Sequence, residues 1–271
     1  MTLIETDKTG LCFMGDLHGE FKTLGGLMKR TEFANTTYVV CGDCGFGFEK
    51  KAYYEQTFNS LSKTAGKYSS DVIFMRGNHD DPSYFDGTAI NREHFVAVPD
   101  YTVLKTPDHT VLLVGGATSI DRMDRILRRK EMLFKYMKYH DVSESIADEQ
   151  CPKLYWENEA PVFDTKEMDC IKDLCLSVDI VCTHTCPSFV PPTDKKGLHE
   201  WMRVDPALCV DVDKERKAMD MLHERLLSDG HPVNMWFYGH YHWHNFEMVD
   251  GIKYIMLDMC RNGLHDIYDV R

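Results

Sequence analysis

Apolar runs that end in polar turns alternate with helical patterns over the first part of the chain. Residues 11–14, 38–42 and 71–76 are short and rich in apolar side chains, which is typical of strands buried in a sheet. Between them, residues 19–33 and 51–65 carry apolar side chains at the three- and four-residue spacing of amphipathic helices. This order predicts a largely parallel sheet, with the polar turns at the carboxyl ends of its strands.

The pattern changes after residue 90, where short strand-like runs are separated by Pro, Asp and Gly turns. The runs at 95–98, 101–104 and 110–114 predict antiparallel pairing and the start of a second sheet. A turn-rich stretch over 140–165 and a loop over 187–197 separate the later elements. For the rest of the chain we predict helices over 119–139, 165–176 and 211–227, and strands over 178–183, 234–238, 246–249, 253–257 and 267–270.

Length and composition suit one large α/β domain or two small ones. The chain has 271 residues, of which 43% are hydrophobic, and we expect a single domain over 1–271 with a basic helical insertion, or cap, at about 118–165. The net charge of −12 argues against bulk binding of nucleic acid or of an anionic membrane surface. The amino terminus lacks the features of a signal peptide, and no run has the roughly 20 apolar residues that span a bilayer, so we expect a cytoplasmic protein. No oligomeric state is predicted.

Polar turns after five of the predicted strands carry side chains that bind metals. They supply Asp16 and His18, Asp43, Asn78 with His79, His184, and the pair His240 and His242. A mixed set of carboxylate, amide and imidazole ligands suits two divalent ions, for which Mn, Fe, Zn, Ni and Co are candidates and Mn is favoured. Asp43 is the natural bridging ligand because a carboxylate has two oxygens to share between two ions. One His of the final pair is expected at each ion, since the two side chains point the same way on an extended segment.

Two adjacent divalent ions would supply the chemistry of phosphate ester hydrolysis. They would lower the pKa of a bridging water, so that a hydroxide attacks phosphorus, and they would neutralise charge that develops on the phosphoryl oxygens. His79 lies next to the predicted ligand Asn78 and is left free. It can either protonate the leaving oxygen or bind a phosphoryl oxygen. Asp43 and His79 are therefore the catalytic candidates.

The turns form an ordered set of motifs, GDxHG, GD, GNHD, H and GHxH, at residues 15–19, 42–43, 77–80, 184 and 239–242. This set resembles the calcineurin-like metallophosphoesterases, and the resemblance implies a sandwich of two mixed sheets flanked by helices. It also implies a role for His79 on the leaving group. The stretch 115–121, with residues 155–157, is similar to a bacterial subgroup whose members are mostly uncharacterised. The family pattern implies that Asp16, His18, Asp43 and His242 hold the first ion and that Asp43, Asn78, His184 and His240 hold the second.

The chain departs from the protein Ser/Thr phosphatase branch of that family at two positions. That branch has GDxxDRG, in which the second Asp orients the catalytic His and the Arg binds phosphate, but here Phe46 and Gly47 stand in those places. The helix predicted over 119–139 offers a replacement, because it has seven basic and three acidic residues between Asp121 and Lys138. We hypothesise that Arg125 binds substrate together with Asn78 and His79, although such a helix is also typical of a solvated surface.

Three functions remain open at this stage. The first is a dinuclear metal-dependent phosphoesterase acting on a phosphomonoester or a phosphodiester of a small phosphorylated substrate. The second is a nucleotide-specific phosphodiesterase or dinucleoside polyphosphate hydrolase, in which Tyr155 or Trp156 would stack on a base. The third is a non-catalytic binding scaffold, which the retention of every ligand and of His79 argues against.

Overall fold

A computed structural model of the chain describes residues 1–192, 197–260 and 267–270. Residues 193–196 of the predicted 187–197 loop lie outside the described residues. The strands are β1 Thr2–Glu5, β2 Gly10–Met14, β3 Thr36–Val40, β4 Asp71–Phe74, β5 Asn91–Arg92, β6 Phe95–Ala97, β7 Thr102–Lys105, β8 Thr110–Val114, β9 Ile180–Thr183, β10 Met235–Tyr238, β11 Asn245–Val249, β12 Ile252–Met256 and β13 Ile267–Asp269. The α-helices are α1 Lys22–Met28, α2 Lys51–Tyr68, α3 Arg122–His140, α4 Glu144–Gln150, α5 Thr165–Asp173, α6 Leu198–Trp201 and α7 Leu208–Ser228.

The first sheet has the order β13-β2-β3-β4-β6-β5, and β2, β3, β4 and β6 in it are parallel. The predicted parallel sheet is therefore confirmed. Its central strands are buried on both faces because alternate residues face two different cores. On β2, Cys12 and Met14 pack with side chains of α1 and α2, while Leu11 and Phe13 face the second sheet.

The second sheet has the order β1-β7-β8-β9-β10-β12-β11, with parallel and antiparallel neighbours. Its outer face packs against α5 and α7 through residues such as Met168 and Leu222. Its inner face packs on the first sheet, where the Phe13 and Phe237 rings stack with centroids 4.0 Å apart. The expected arrangement of two packed mixed sheets flanked by helices is thus what the structure shows.

Three sequence expectations were wrong in detail. The 95–98 run does not begin the second sheet, because β6 lies parallel to β4 in the first sheet. The second sheet instead begins with β1, which had not been predicted as a strand and pairs with β7. The turn-rich stretch contains the helix α4, which has a single buried residue, Ala147, and so shows no apolar stripe. The helix predicted over 19–33 is shorter, with α1 followed by a 3₁₀ turn at Thr31–Phe33.

The helices α3 and α4 pack on each other through a small apolar cluster that includes Leu133, Ala147 and Cys151. The amino-terminal end of α3 is fixed to the rest of the molecule by Arg122, which forms ion pairs with Asp205 and Asp211. These ion pairs join the start of α3 to α7 and to the segment that precedes α7. Within the described ranges, none of the helices combines the length and the apolar character needed to cross a membrane.

Candidate metal centre

The predicted ligands lie in loops at the carboxyl ends of strands from both sheets. Strands β2, β3 and β4 belong to the first sheet and β9 and β10 to the second, so the loops meet where the two sheets end together. Asp16 and His18 follow β2, Asp43 follows β3, Asn78 and His79 follow β4, His184 follows β9, and His240 and His242 follow β10.

Four of these side chains surround a common point. One ligand atom from each of Asp16, His18, Asp43 and His242 lies within 4.8 Å of the other three. The Nε2 atoms of His18 and His242 are 3.1 Å apart, and His242 Nε2 is 2.9 Å from Asp16 Oδ2. His18 Nε2 is 3.8 Å from a carboxylate oxygen of Asp16 and 3.8 Å from one of Asp43. This group of four could hold a metal ion.

A second group of donors adjoins the first through Asp43. His184 Nε2 lies 3.2 Å from Asp43 Oδ1 and 3.1 Å from Asn78 Oδ1. The ring of His240 lies 5.1 Å from that of His184, and the His240 backbone N–H donates to the Asp16 carboxylate at 3.0 Å. Asp43 therefore touches both groups, which is the position that a shared ligand would need.

Glycines let the backbone approach these ligands closely. A Cβ on Gly77 would lie 2.1 Å from Asp43 Oδ1, and one on Gly42 would lie 2.2 Å from His184 Nδ1. Gly42 also has a φ of +98°, in the region that disfavours other residues. Gly42 and Gly77 are thus required by the space that the neighbouring predicted ligands occupy.

The charges at this centre fit a divalent cation. Asp16 and Asp43 are each 1% exposed, and within the described part of the chain their ion pairs are all with histidines. Two carboxylates buried this deeply need compensating positive charge. Burial alone would lower the pKa of His184, but the carboxylates of Asp43 and Asp16 raise it to about 9. A metal at His184 would therefore compete with a proton.

Asp80 fixes the two loops that carry Asp43 and Asn78. Its buried carboxylate accepts hydrogen bonds from the backbone N–H groups of Cys44, Gly45, Phe46 and Gly77 at 2.7–3.0 Å. Burial and the nearby Asp43 carboxylate raise the pKa of Asp80 to about 6, although the backbone donors oppose that shift. The last residue of the GNHD motif therefore positions the site without facing it.

A protein-family model identifies the family of this chain. The model of the calcineurin-like phosphoesterases matches residues 11–256, which include most strands of both sheets and every residue of the two donor groups. The chain belongs to this family. The cluster of Asp and His side chains agrees with the metal dependence of this family.

Individual relatives are distant. The chain is 29% identical over 147 residues to the serine/threonine-protein phosphatase 6 catalytic subunit of Drosophila melanogaster, an alignment that spans 47% of each protein, so about half of that relative is matched. The Thermus thermophilus protein TT1561 has the same fold, with a TM-score of 0.52 at 13% identity over 94% of this chain and 90% of that one. A dimetal phosphatase from Danio rerio gives a TM-score of 0.49 at 13% identity, over 97% and 92% of the two chains.

Position 46 of this calcineurin-like phosphoesterase takes no part in the site. Phe46 is fully buried, and its ring packs 5.1 Å from Tyr54 and 5.3 Å from Phe74. His79 is positioned by other groups instead. Its backbone N–H donates to Asp43 Oδ1 at 2.7 Å, and its Nε2 contacts Nη2 of Arg125 from α3. Arg125 therefore lies next to His79, as the hypothesis that both side chains bind substrate requires.

Arg125 is 8% exposed. It forms an ion pair with Asp121, the residue directly before α3, whose Oδ1 lies 2.8 Å from Arg125 Nε. Burial lowers the pKa of His79 to about 4; the Arg125 charge acts in the same direction and the Asp43 carboxylate against it. The two side chains line one cleft with the donor groups. Arg125 thus lies where an anionic substrate at the metal centre would meet it.

A hydrogen-bonded chain that supports Asn78 was not recognised from the sequence. Asn78 Nδ2 donates to Ser119 Oγ at 2.9 Å, and Ser119 in turn donates from its hydroxyl and its backbone N–H to the buried carboxylate of Glu159 at 2.7 and 2.6 Å. This chain fixes the Asn78 amide so that its oxygen faces His184. The stretch 115–121, which resembles a bacterial subgroup of the family, contains Ser119. Nothing in the sequence around Ser119 indicates that Glu159 is its partner.

The aromatic residues named as base-stacking candidates do not line the cleft. Trp156 is 7% exposed and packs edge-on against Phe48, and Tyr155 lines a different cavity beside α7. The aromatic side chains in the cleft are instead Trp201 and Tyr241. No motif surrounds Trp201, so only the folded chain identifies it as part of the site.

Proposed function

We propose that this chain hydrolyses phosphomonoester or phosphodiester bonds of a small phosphorylated substrate, with two divalent metal ions as cofactors. The observation that carries the proposal is the convergence of Asp16, His18, Asp43 and His242 within 4.8 Å, next to an arginine that reaches into the same cleft. Bound divalent ions would activate a water molecule and neutralise phosphoryl charge.

The donor set divides between two ions through Asp43. Asp16, His18 and His242 would hold the first ion with one Asp43 oxygen, which agrees with the distances among these four residues. Asn78, His184 and His240 would hold the second. The Asn78 Oδ1 and Asp43 Oδ1 atoms lie 3.1 and 3.2 Å from His184 Nε2, so these donors already face one another. Mn is the favoured metal, with Fe, Zn, Ni and Co as alternatives.

The chain's own residues would bind the ester in the cleft that Asp43 also lines. Arg125 is placed to bind a non-bridging phosphoryl oxygen, and His79 to act on the leaving oxygen, with Asn78 lining the same cleft. The helical segment at about 118–165 would then form a cap of a single domain over 1–271, because α3 brings Arg125 into the site.

Replacement of Arg125 by Ala is expected to lower kcat/KM about tenfold to a hundredfold, mainly through KM, because a buried guanidinium that binds a phosphoryl oxygen is lost. Steady-state kinetics on p-nitrophenyl phosphate and on bis-p-nitrophenyl phosphate measure this effect. Arg128→Ala is the matched control, since Arg128 lies on the same helix with a side chain 72% exposed. Unchanged kcat and KM in Arg125→Ala would show that this arginine does not bind substrate.

A nucleotide substrate is the second candidate, and Trp201 favours it. Trp201 lines the cleft together with His79 and Arg125, where a planar base could stack on the indole. Cyclic nucleotides and dinucleoside polyphosphates test this candidate directly. Turnover no faster than that of a generic aryl ester would remove it.

The central experiment is hydrolysis of p-nitrophenyl phosphate and bis-p-nitrophenyl phosphate by protein loaded separately with Mn, Ni, Zn or Fe. Metal-dependent turnover that is lost in His79→Ala supports the proposal. A purified protein that contains no metal and hydrolyses neither ester would instead favour a non-catalytic scaffold.

A further inference from the structure

In the part of the chain that the structure describes, a second cleft lies beside the first at the candidate metal centre. The Trp201 cleft, of about 380 Å³, is lined by Asp43, Arg125, Trp201 and His242 among others. The Tyr53 cleft, of about 280 Å³, is lined by His18, Phe48, Glu49 and Tyr53 among others. His79 lines both clefts.

The two clefts meet at the metal-binding group itself. His242 lines the Trp201 cleft and His18 lines the Tyr53 cleft, and their Nε2 atoms are 3.1 Å apart. The rings of His18 and His79 are in edge contact at 5.1 Å. A phosphorus atom held at this centre would therefore have room for a substituent on each side.

The Tyr53 cleft has the chemistry of a site for an uncharged organic group. Tyr53 is 42% exposed and Phe48 is half-buried, so both offer ring surface, while Glu49 adds a negative charge. The residues that line this cleft, all within the described ranges, include no Lys or Arg. An additional phosphate group would be repelled there, whereas an apolar or aromatic ester arm would be accommodated.

From this arrangement we propose that the substrate is a phosphodiester, with one ester arm in each cleft; this inference rests on the proposed function. A phosphomonoester has one organic arm and would leave the Tyr53 cleft unused. In the reaction, the oxygen of one water forms a bond to phosphorus and one ester P–O bond breaks. The leaving oxygen takes up a proton, so that the products are an alcohol and a phosphomonoester.

The test compares kcat/KM for bis-p-nitrophenyl phosphate with kcat/KM for p-nitrophenyl phosphate in the metal-loaded protein. The wild-type ratio is expected to favour the diester by about tenfold, and Tyr53→Ala is expected to reduce that ratio about fivefold to tenfold through loss of ring contact with the second arm. Tyr53→Phe keeps the ring and should keep the ratio. Tyr139→Ala removes an aromatic ring that is 84% exposed on α3 and should change neither rate.

The outcomes separate this inference from the proposed function. Metal-dependent turnover with the monoester preferred, or a ratio that stays unchanged in Tyr53→Ala, overturns the phosphodiester assignment and leaves the phosphoesterase proposal intact. No turnover of either ester with any metal overturns both. Circular dichroism and metal content of each variant show whether a reduced diester-to-monoester ratio is caused by loss of the fold. If Tyr53→Ala does not fold, the ratio in Tyr53→Phe is compared with that of the wild type. A preserved preference for the diester then supports the assignment, and an absent preference overturns it.

Discussion

Asp43→Asn is expected to lower kcat/KM for phosphate ester hydrolysis about a thousandfold, which corresponds to roughly 4 kcal/mol of transition-state stabilisation. Asp43 touches both donor groups, with Oδ2 3.8 Å from His18 Nε2 and Oδ1 3.2 Å from His184 Nε2. The amide has nearly the same shape, and its oxygen can still accept the hydrogen bond from the His79 backbone N–H. The substitution therefore removes charge while it keeps most of the packing.

Metal content and kinetics should be measured together in this variant. We expect the bound divalent metal to fall to one equivalent or less per chain, with kcat affected more strongly than KM. Asp7→Asn provides the control, because it removes the same unit charge from a side chain that is 96% exposed, where solvent weakens its electrostatic interactions. Full metal content and near wild-type kcat in Asp43→Asn would refute the bridging role of this carboxylate.

The positions of the candidate ligand residues were predictable because they depend on a general property of parallel sheets. Each lies one to four residues after a strand, and the carboxyl ends of neighbouring parallel strands meet at one edge. Gly77 and Gly42 agree with that prediction, because a residue with a Cβ at either position would collide with Asp43 or His184. The site was therefore encoded locally, strand by strand.

Residues that reach the site from distant parts of the chain were harder to predict. The excess of basic residues between 121 and 138 indicated a role for α3 but gave no reason to prefer Arg125, whose contact with His79 depends on how Arg122 anchors the helix. Glu159 and Trp201 had no local signal at all. The same limit explains the missed strand β1, which is stabilised by pairing with β7, some hundred residues later.

The departure at position 46 leads to the second strong prediction. A Ser/Thr phosphatase has Asp at this position, but the Phe46 side chain here points into a core of aromatic rings. Phe46→Asp is expected to lower the free energy of unfolding by at least about 4 kcal/mol, because it leaves a cavity and buries an unpaired carboxylate. It should not raise phosphatase activity, since the backbone N–H of Phe46 is bound to Asp80 and this holds the side chain away from His79.

Urea unfolding of Phe46→Asp is compared with that of Phe46→Leu. Phe46→Leu keeps an apolar side chain and most of the volume and should cost only about 1–2 kcal/mol, so the remaining difference measures the buried charge together with the larger cavity that Asp leaves. The contrary result is a Phe46→Asp protein that is as stable as the wild type and hydrolyses the monoester faster. That result would mean that the 43–47 loop can turn the side chain at position 46 toward His79. The expected loss of stability would instead mean that position 46 is a core position in this chain, where His79 is contacted by Asp43 and Arg125 and by no residue at position 46.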